Sequence, residues 1–522
     1  MGIARSVRRV VIEELILQSN DQVVVRVTRE VLRLFKVRIV AEERARHEAA
    51  REKTSFEAPK PEYRSMCISH DVSEGGRVIS KIVLKSLDGN EERYVREGCA
   101  RPDERLGAGI HRLMKHNLYR IFCEELGKKT APWGIMHGVR PTKIVHRLID
   151  MGLGHDEIIE RLKSDYLVSS ERASRITDIA FLQRPFLAQS DERTISIYAG
   201  IPFCLSRCLY CSFPANVIPG RGKLEKFFRI WKRDLDAVVA AVRKYHFRVQ
   251  NIYIGGGTPT SLPDDLFIRM LELIHDAFYS DSVVEFTVEA GRPDSMSQAK
   301  IDAMMRMNVT RVSVNPQTMQ ERTLKRIGRS HTPGQIVDMF HALRKAGIPH
   351  INMDLIVGLP GETDADIADT MEKILPLGPD DVTLHALALK KGSRLKMHLA
   401  DYELPDDAMA QRMFDTAMKY VESFGFHPYY LYRQGYMAGS LENVGCCKTG
   451  AEGMYNIQIM EEHQTVLGIG AAASSKIVNF RTGRLKSSFN AKDLTTYLAD
   501  VDTYIAKRDA LLEEAYGGEK QL

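Results

Sequence analysis

Only two tryptophans, Trp133 and Trp231, and only eight cysteines occur in 522 residues. So few cysteines in so long a chain exclude the disulfide framework that holds small secreted domains together. No stretch approaches the roughly 18 consecutive apolar residues of a membrane-spanning helix. The first residues lack the apolar core of a secretory leader, and Met1-Gly2-Ile3-Ala4-Arg5-Ser6 fits a myristoylation or transit signal only loosely, since Glu13 and Glu14 follow soon. A cytoplasmic chain with no membrane partner is expected. Charge of one sign is scarce too: 73 Lys and Arg against 68 Asp and Glu leave a net charge of +5, too little to announce a nucleic-acid partner. Hydrophobic content of 44% with 27% charged residues describes a globular protein, long enough for two or three domains.

Composition and pattern divide the chain into residues 1–190, 191–400 and 401–522. The first part carries no chemical motif. It shows β-like runs at Gln22 to Val27 and Val78 to Lys85 and a helical stretch at Arg105 to Leu126, which predicts a small α+β domain of unknown role. Glu43 to Lys60, charged and ending at Pro59 and Pro61, reads as a helix running into a loop. From Ile195 the pattern changes to short β-rich runs alternating with helix-length segments: Ile195 to Pro202, Asn251 to Gly256, Glu285 to Ala290, Arg311 to Gln317, His350 to Gly358 and Asp381 to Leu389. Such alternation predicts an α/β fold, a partial (βα)6 barrel on a parallel sheet. Thr332-Pro333-Gly334-Gln335 supplies a helix N-cap, a first-turn proline and a capping-box glutamine, with Gly347 as the stop. Residues 401–522 contain a helix at about Asp406 to Phe424, the run Tyr429-Tyr430-Leu431-Tyr432-Arg433 and the small-residue tract Gly468 to Ala473, and are expected to form an α+β cap.

Three cysteines stand apart from the rest. Cys204, Cys208 and Cys211 follow a β-run directly, so their thiols sit on a loop at the carboxyl end of a strand, where barrel enzymes keep their sites. Three thiolates hold a 4Fe-4S cluster and leave one iron open to an outside ligand; a zinc loop is the alternative. The other five, Cys67, Cys99, Cys123, Cys446 and Cys447, are expected to be buried small hydrophobes, and adjacency keeps Cys446 and Cys447 from bridging comfortably. Gly255-Gly256-Gly257-Thr258-Pro259-Thr260 ends the second β-run, where glycines let a polar ligand approach the backbone. Glu289, Gln317 and Asp354 then recur at or near the ends of later strands, and together they converge on one face of one barrel.

The cysteine spacing resembles that of radical S-adenosylmethionine (SAM) enzymes. Tyr198-Ala199-Gly200-Ile201-Pro202-Phe203-Cys204, Gly255 to Thr260 and Asp354-Leu355-Ile356-Val357-Gly358-Leu359-Pro360-Gly361 resemble the oxygen-independent coproporphyrinogen III oxidases (dehydrogenases). Pro132-Trp133-Gly134, Gly138 to Lys143, Tyr429 to Gln434, Leu441 to Gly445 and Tyr455 to Glu462 are similar to the HemZ-type branch. The resemblance implies a 4Fe-4S cluster on Cys204, Cys208 and Cys211 and two SAM molecules in one site. Tyr198, Gly256 and Glu289 match contacts to the first SAM; Tyr210, Gly257, Thr258, Gln317, Arg329, Asp354 and Ala386 match contacts to the second. It further implies coproporphyrinogen III as substrate and an electron donor such as flavodoxin or ferredoxin, with no side chain assigned as a catalytic acid or base. Arg394 and Arg433 are considered for the propionates. Phe213 stands where characterised oxidases carry a fourth cysteine, and Gly200 where a histidine is common. Two readings stay open beside this one: a haem-binding chaperone-like relative, whose His-Asn-x-x-Tyr-Trp motif is absent here, and a radical SAM enzyme acting on another substrate such as RNA.

Overall fold

The computed structural model describes residues 14–18, 22–35, 38–43, 64–85, 89–214, 216–390, 392–434 and 441–518. The chain divides into two compact units, Met1–Asp178 and Ile179–Leu522.

The first unit holds a five-stranded sheet of β1 (Glu14–Gln18), β2 (Arg38–Glu43), β3 (Arg64–Val72), β4 (Arg77–Lys85) and β5 (Glu91–Cys99), in the order β2-β1-β3-β4-β5. Strand β4 buries Val78, Ser80, Ile82 and Leu84, one face of a pleat with period two. Those apolar side chains share a core with Leu113, Leu118 and Phe122 of the helical stretch that begins at Leu106. Gln22 to Val27 is not a strand: it opens the helix Gln22–Leu34. Its β-branched residues suggest extended chain, but Val24, Val27, Val31 and Leu32 are buried at helical spacing, and that buried face outweighs local propensity. Glu43 closes β2, and most of the helix expected at Glu43 to Lys60 lies outside the described residues. Cys67 and Cys99 are exposed and Cys123 is half-buried, so the buried role expected for them fails. Alternation along β3 explains Cys67, which faces outward between buried Met66 and Ile68.

Among the described residues, the second unit is built on an eleven-stranded sheet. Its parallel heart comprises β6 (Thr194–Ile201), then, beyond the short pair β7 (Phe203–Cys204) and β8 (Asn216–Val217), β9 (Arg248–Gly256), β10 (Glu285–Glu289), β11 (Arg311–Gln317), β12 (His350–Val357) and β13 (Asp381–Ala386). These six strands lie side by side in chain order, each followed by helix, as the partial (βα)6 reading requires. Residues 401–522 add β14 (His427–Tyr432), β15 (Asn443–Cys447), β16 (Thr465–Ile469), β17 (Ser474–Asn479) and β18 (Arg484–Phe489). The full order is β14-β15-β13-β12-β11-β10-β9-β6-β16-β17-β18, an open sheet. The expected cap segment therefore extends the same sheet at both edges. Strand β6 alternates: Ile195, Ile197, Ala199 and Ile201, all fully buried, share one face, and Ser196, Tyr198 and Gly200 take the other, on which Tyr198 borders a cavity. Thr332 and Gln335 make the reciprocal capping box, and Gly347 ends that helix in the left-handed region.

One buried charge pair ties the C-terminal strands to the first βα unit. Asp234 and Arg508 are 1% and 2% exposed and lie 2.7 Å apart. The second carboxylate oxygen of Asp234 accepts from the Gly470 amide, Asn490 and the Tyr497 hydroxyl. Breaking such a pair strands a guanidinium in the interior, so Asp234→Ala should lower unfolding stability by about 3–5 kcal/mol. Chemical denaturation followed by far-UV circular dichroism checks this; a change under about 1 kcal/mol, the scale of an exposed pair, contradicts it.

Candidate active site

Cys204 ends β7, whose pairing with β8 joins the two ends of the cysteine loop. The loop is pinned from outside by Leu209 N–H on the Ile327 carbonyl (2.9 Å) and Leu395 N–H on the Leu209 carbonyl (2.9 Å). The Cys211 amide donates to the Cys208 carbonyl at 3.3 Å, a tight turn that brings those two thiols to one side. All three thiols border one cavity of about 400 Å³ at the carboxyl ends of the parallel strands. Burial pushes the Cys204 thiol up to about 11 and raises that of Cys211. A coordinated cation is what holds such thiols as thiolates, and a triad that leaves one ligand position open suits a 4Fe-4S cluster with an exchangeable iron.

Every further residue singled out from the sequence as a SAM contact lines this same cavity: Tyr198, Tyr210, Gly256, Gly257, Thr258, Glu289, Gln317, Arg329, Asp354 and Ala386. The glycines are there for space. Gly256 has φ +113, and a Cβ on Gly257 would stand 2.4 Å from the Phe203 carbonyl oxygen. Glu289 accepts from the Tyr253 hydroxyl at 2.7 Å and from the Gly256 amide at 3.2 Å. Burial raises its carboxyl to about 7 despite those two donors, with Asp354 adding to the upward push. Burial also works upward on Asp354, but His385, 3.8 Å away, and Asn352, donating at 2.7 Å, hold it below the usual carboxylate range.

Of the buried side-chain polar atoms without a hydrogen-bond partner among the described residues, two belong to residues lining this cavity: Gln317 Oε1 and Arg329 Nε. Gln317 sits at φ +67, an uncommon backbone for a residue with a side chain. Arg329 Nη1 donates to the Gly291 and Asn315 carbonyls at 3.0 and 2.5 Å, and its guanidinium also engages the Cys208 thiol and the Tyr210 hydroxyl, while Nε has no hydrogen-bond partner among the described residues. A residual acceptor on Gln317 and a buried guanidinium on Arg329, both in the cavity lining, suit the ammonium and carboxylate of an amino-acid ligand such as the methionine end of SAM.

Several lining residues escaped the sequence reading. Tyr253 stacks between Tyr455 at 4.4 Å and Tyr198 at 6.1 Å. Its place on the same strand face as Gly255, two residues on, is the signal that could have found it. His385, Asn443, Asn456 and Met460 arrive from strand β13 and the C-terminal segment, and Asn443 accepts from the Ala386 amide at 2.9 Å. Arg394 and Arg433 do not border the cavity; besides Arg329, the lysine and arginine side chains that do are Arg207, Arg292 and Lys390. A separate hollow of about 440 Å³ beside Leu205 contains Lys300, whose ammonium is already committed to the Thr260 and Ser295 carbonyls.

Residues 198–374 match the radical SAM superfamily. The chain is 35% identical over 393 residues to the oxygen-independent coproporphyrinogen-III oxidase-like protein HemZ of Bacillus subtilis, covering 74% of this chain and 78% of that one. The haem chaperone HemW of Lactococcus lactis is 29% identical over 56% of this chain and 72% of its own length. The oxygen-independent coproporphyrinogen III oxidase of Cereibacter sphaeroides is 26% identical over 54% of this chain and 62% of its own. The solved structure of coproporphyrinogen III oxidase (HemN) from Escherichia coli shares the fold, with a TM-score of 0.50 at 22% identity over 65% of this chain and 78% of that one. The chain therefore belongs to the radical SAM superfamily and, within it, to the family of oxygen-independent coproporphyrinogen-III oxidase-like proteins. A 4Fe-4S cluster and SAM are the cofactors of that superfamily. Among the described residues, no helix is long and apolar enough to cross a membrane.

Replacing Cys204, Cys208 or Cys211 by Ala should abolish the cluster's iron and its visible absorbance in anaerobically prepared protein, while the Cys446→Ala/Cys447→Ala double variant keeps both. Iron retained after removal of all three loop cysteines overturns the ligand assignment. A second expectation concerns Glu289, which accepts hydrogen bonds only through its ionised oxygens at full strength. A carboxyl titrating near 7 is about one-tenth ionised at pH 6 and about nine-tenths at pH 8, so SAM affinity should rise by about tenfold across that interval. Equilibrium dialysis reads this directly, and Glu289→Gln should flatten the profile; an unchanged slope in that variant removes Glu289 from the binding site.

Proposed function

We propose that this protein carries out the oxygen-independent oxidative decarboxylation of coproporphyrinogen III to protoporphyrinogen IX, using two SAM molecules in one site. The observation that carries this reading is the pair of unpartnered polar atoms, Gln317 Oε1 and Arg329 Nε, beside Asp354. These residues resemble the family's contacts to a second SAM, a resemblance that supports turnover over haem carriage alone. When bound, the cluster and SAM supply a one-electron cleavage that yields a 5′-deoxyadenosyl radical. Each reacting propionate would give a hydrogen atom from its β-carbon to that radical, forming 5′-deoxyadenosine, then lose carbon dioxide and pass one electron to an external one-electron acceptor, leaving a vinyl group.

The chain's own residues bind, orient and exclude water. Cys204, Cys208 and Cys211 would hold the cluster, with Tyr198, Gly256 and Glu289 on the first SAM. Tyr210, Gly257, Thr258, Gln317, Arg329, Asp354 and Ala386 would hold the second. The aromatic wall of Tyr253, Tyr430, Tyr432 and Tyr198 keeps the reacting carbon in apolar surroundings. Lys390, which borders the cavity and stands over the Phe213 ring at 6.0 Å, replaces Arg394 and Arg433 as the cation for a substrate propionate. Electrons would come from a small reducing protein such as flavodoxin or ferredoxin.

A haem-chaperone role is the second reading, favoured by Phe213 at the position of the oxidases' fourth cysteine and by the likeness to HemW. Anaerobic incubation with SAM, a strong reductant and coproporphyrinogen III separates the two. Formation of protoporphyrinogen IX with carbon dioxide and 5′-deoxyadenosine is expected. Arg329→Ala should cut conversion by about 10–100-fold, the weight of a charged hydrogen bond, with iron content unchanged. SAM cleavage without any decarboxylated porphyrinogen, together with stoichiometric haem binding, overturns the proposal in favour of the carrier.

A further inference from the structure

At the end of the sheet remote from the cluster, three metal-ligating side chains converge. His427 opens β14 and pairs in register with Cys447, the last residue of β15. Strand β15 enters at Asn443, which borders the cavity, and runs antiparallel to β13, so Cys447 lies opposite Asp381, at the start of β13. Glu452 comes from the following turn. His427 Nε2 lies 3.1 Å from Glu452 Oε1 and 3.7 Å from Cys447 Sγ, and the three ligand atoms all lie within 4.8 Å of one another. Strand alternation keeps Cys446 out of this group, since its side chain takes the other face.

We propose that His427, Cys447 and Glu452 form a zinc site, distinct from the iron-sulfur site. The first argument is metric: tetrahedral bonds of about 2.3 Å to sulfur, about 2.05 Å to nitrogen and about 2.0 Å to oxygen place S···N near ~3.6 Å and N···O near ~3.3 Å. The spacings of 3.7 and 3.1 Å match these two, and the third, sulfur to oxygen, lies within 4.8 Å. The second argument is one of valence. Both partners address the same ring nitrogen, which carries either one proton or one lone pair and cannot serve a thiol and a carboxylate equally. A single cation between them satisfies all three at once. The donor set of thiolate, imidazole and carboxylate suits zinc, where hard cations prefer all-oxygen shells. Cys447 is fully buried and Glu452 is 6% exposed, whereas His427 is 32% exposed, so water can reach the fourth position past the imidazole.

The site has a mechanical consequence. Glu452 immediately precedes Gly453 and the helix Met454–Glu461, which carries Tyr455 onto the ring of Tyr253 and Asn456 and Met460 to the cavity wall. A zinc ion would fasten that helix's leading segment to the β14–β15 hairpin, fixing the far end of the element that shapes the substrate cavity.

The test uses the full chain with its cluster in place, purified anaerobically, dialysed against micromolar free zinc and then desalted. Elemental analysis should find about one zinc per chain, and zinc K-edge absorption one sulfur neighbour with nitrogen and oxygen in the remaining positions. Zinc content should fall by about tenfold or more in Cys447→Ser, His427→Ala and Glu452→Gln, with iron unchanged. No zinc in the parent protein, zinc retained by the His427→Ala/Cys447→Ser double variant, or a shell of three sulfurs that places the ion on the cysteine loop each overturns the proposal. The absorption spectrum of the parent decides the matter even if a variant fails to fold.

Discussion

Six parallel strands have to stop at the same level for this site to exist, and their pairing makes them do so. Ile201 pairs with Gly256, Val288 with Ile254, Glu289 with Ser313, Gln317 with Leu355 and Val357 with Ala386. A slip of one residue along any strand would turn its side chains to the opposite face. Glu289 would then exchange places with Val288 and leave both Tyr253 and the Gly256 amide. The irregular register between Val314 and Gln317 works in the other direction. It releases Gln317 from the pleat, accounting for a residue at φ +67 on an otherwise regular strand.

Ligand binding is prepared at some cost to the fold. A buried polar atom with no partner forfeits about 1–3 kcal/mol, and a strained backbone such as that of Gln317 costs of order 1–3 kcal/mol more. Such groups persist only where neighbours fix them, as the Gly291 and Asn315 carbonyls fix Arg329. Glu289 is arranged on the same principle, its two donors setting its direction while burial leaves its charge in balance near neutrality. These costs are recovered when a ligand supplies the missing partner, which is what distinguishes a prepared site from a defect.

The barrel was legible because its signals are local: short apolar runs, glycine turns and the Thr332 capping box are all written within a few residues. The cysteine loop was legible for the same reason. Residues contributed by pairing across long separations were not. Asn443 enters the cavity because β15 lies antiparallel to β13, and nothing near Asn443 announces that partner. The edges of the sheet were hidden likewise: β16 joins β6 in parallel although some 260 residues separate them. Gln22–Leu34 shows the opposite failure, where a local signal, a run of valines, pointed to a strand and a buried helical face prevailed. Arg394 and Arg433 were chosen for their charge alone, and charge says nothing of which face a side chain takes.

The strands carry polar residues at both ends, and the two ends use them differently. At the amino ends, Arg311 lies 2.9 Å from Asp381 and 3.4 Å from Glu285, and donates to the Ala451 carbonyl at 2.8 Å. Nearby, Ser196, Asn251, Gln250 and Gln464 bond one another in a second buried group. Polar groups there are matched mainly by protein, so they fix which strand neighbours which. At the carboxyl ends the same residue types line a cavity, where Gln317 Oε1 and Arg329 Nε have no hydrogen-bond partner among the described residues. A strand written polar, apolar, polar can therefore specify its place in the sheet with one end and present chemistry with the other. That division lets one scaffold host different chemistries: changes at Phe213 or Lys390 alter the cavity end alone, leaving the network that orders the strands untouched.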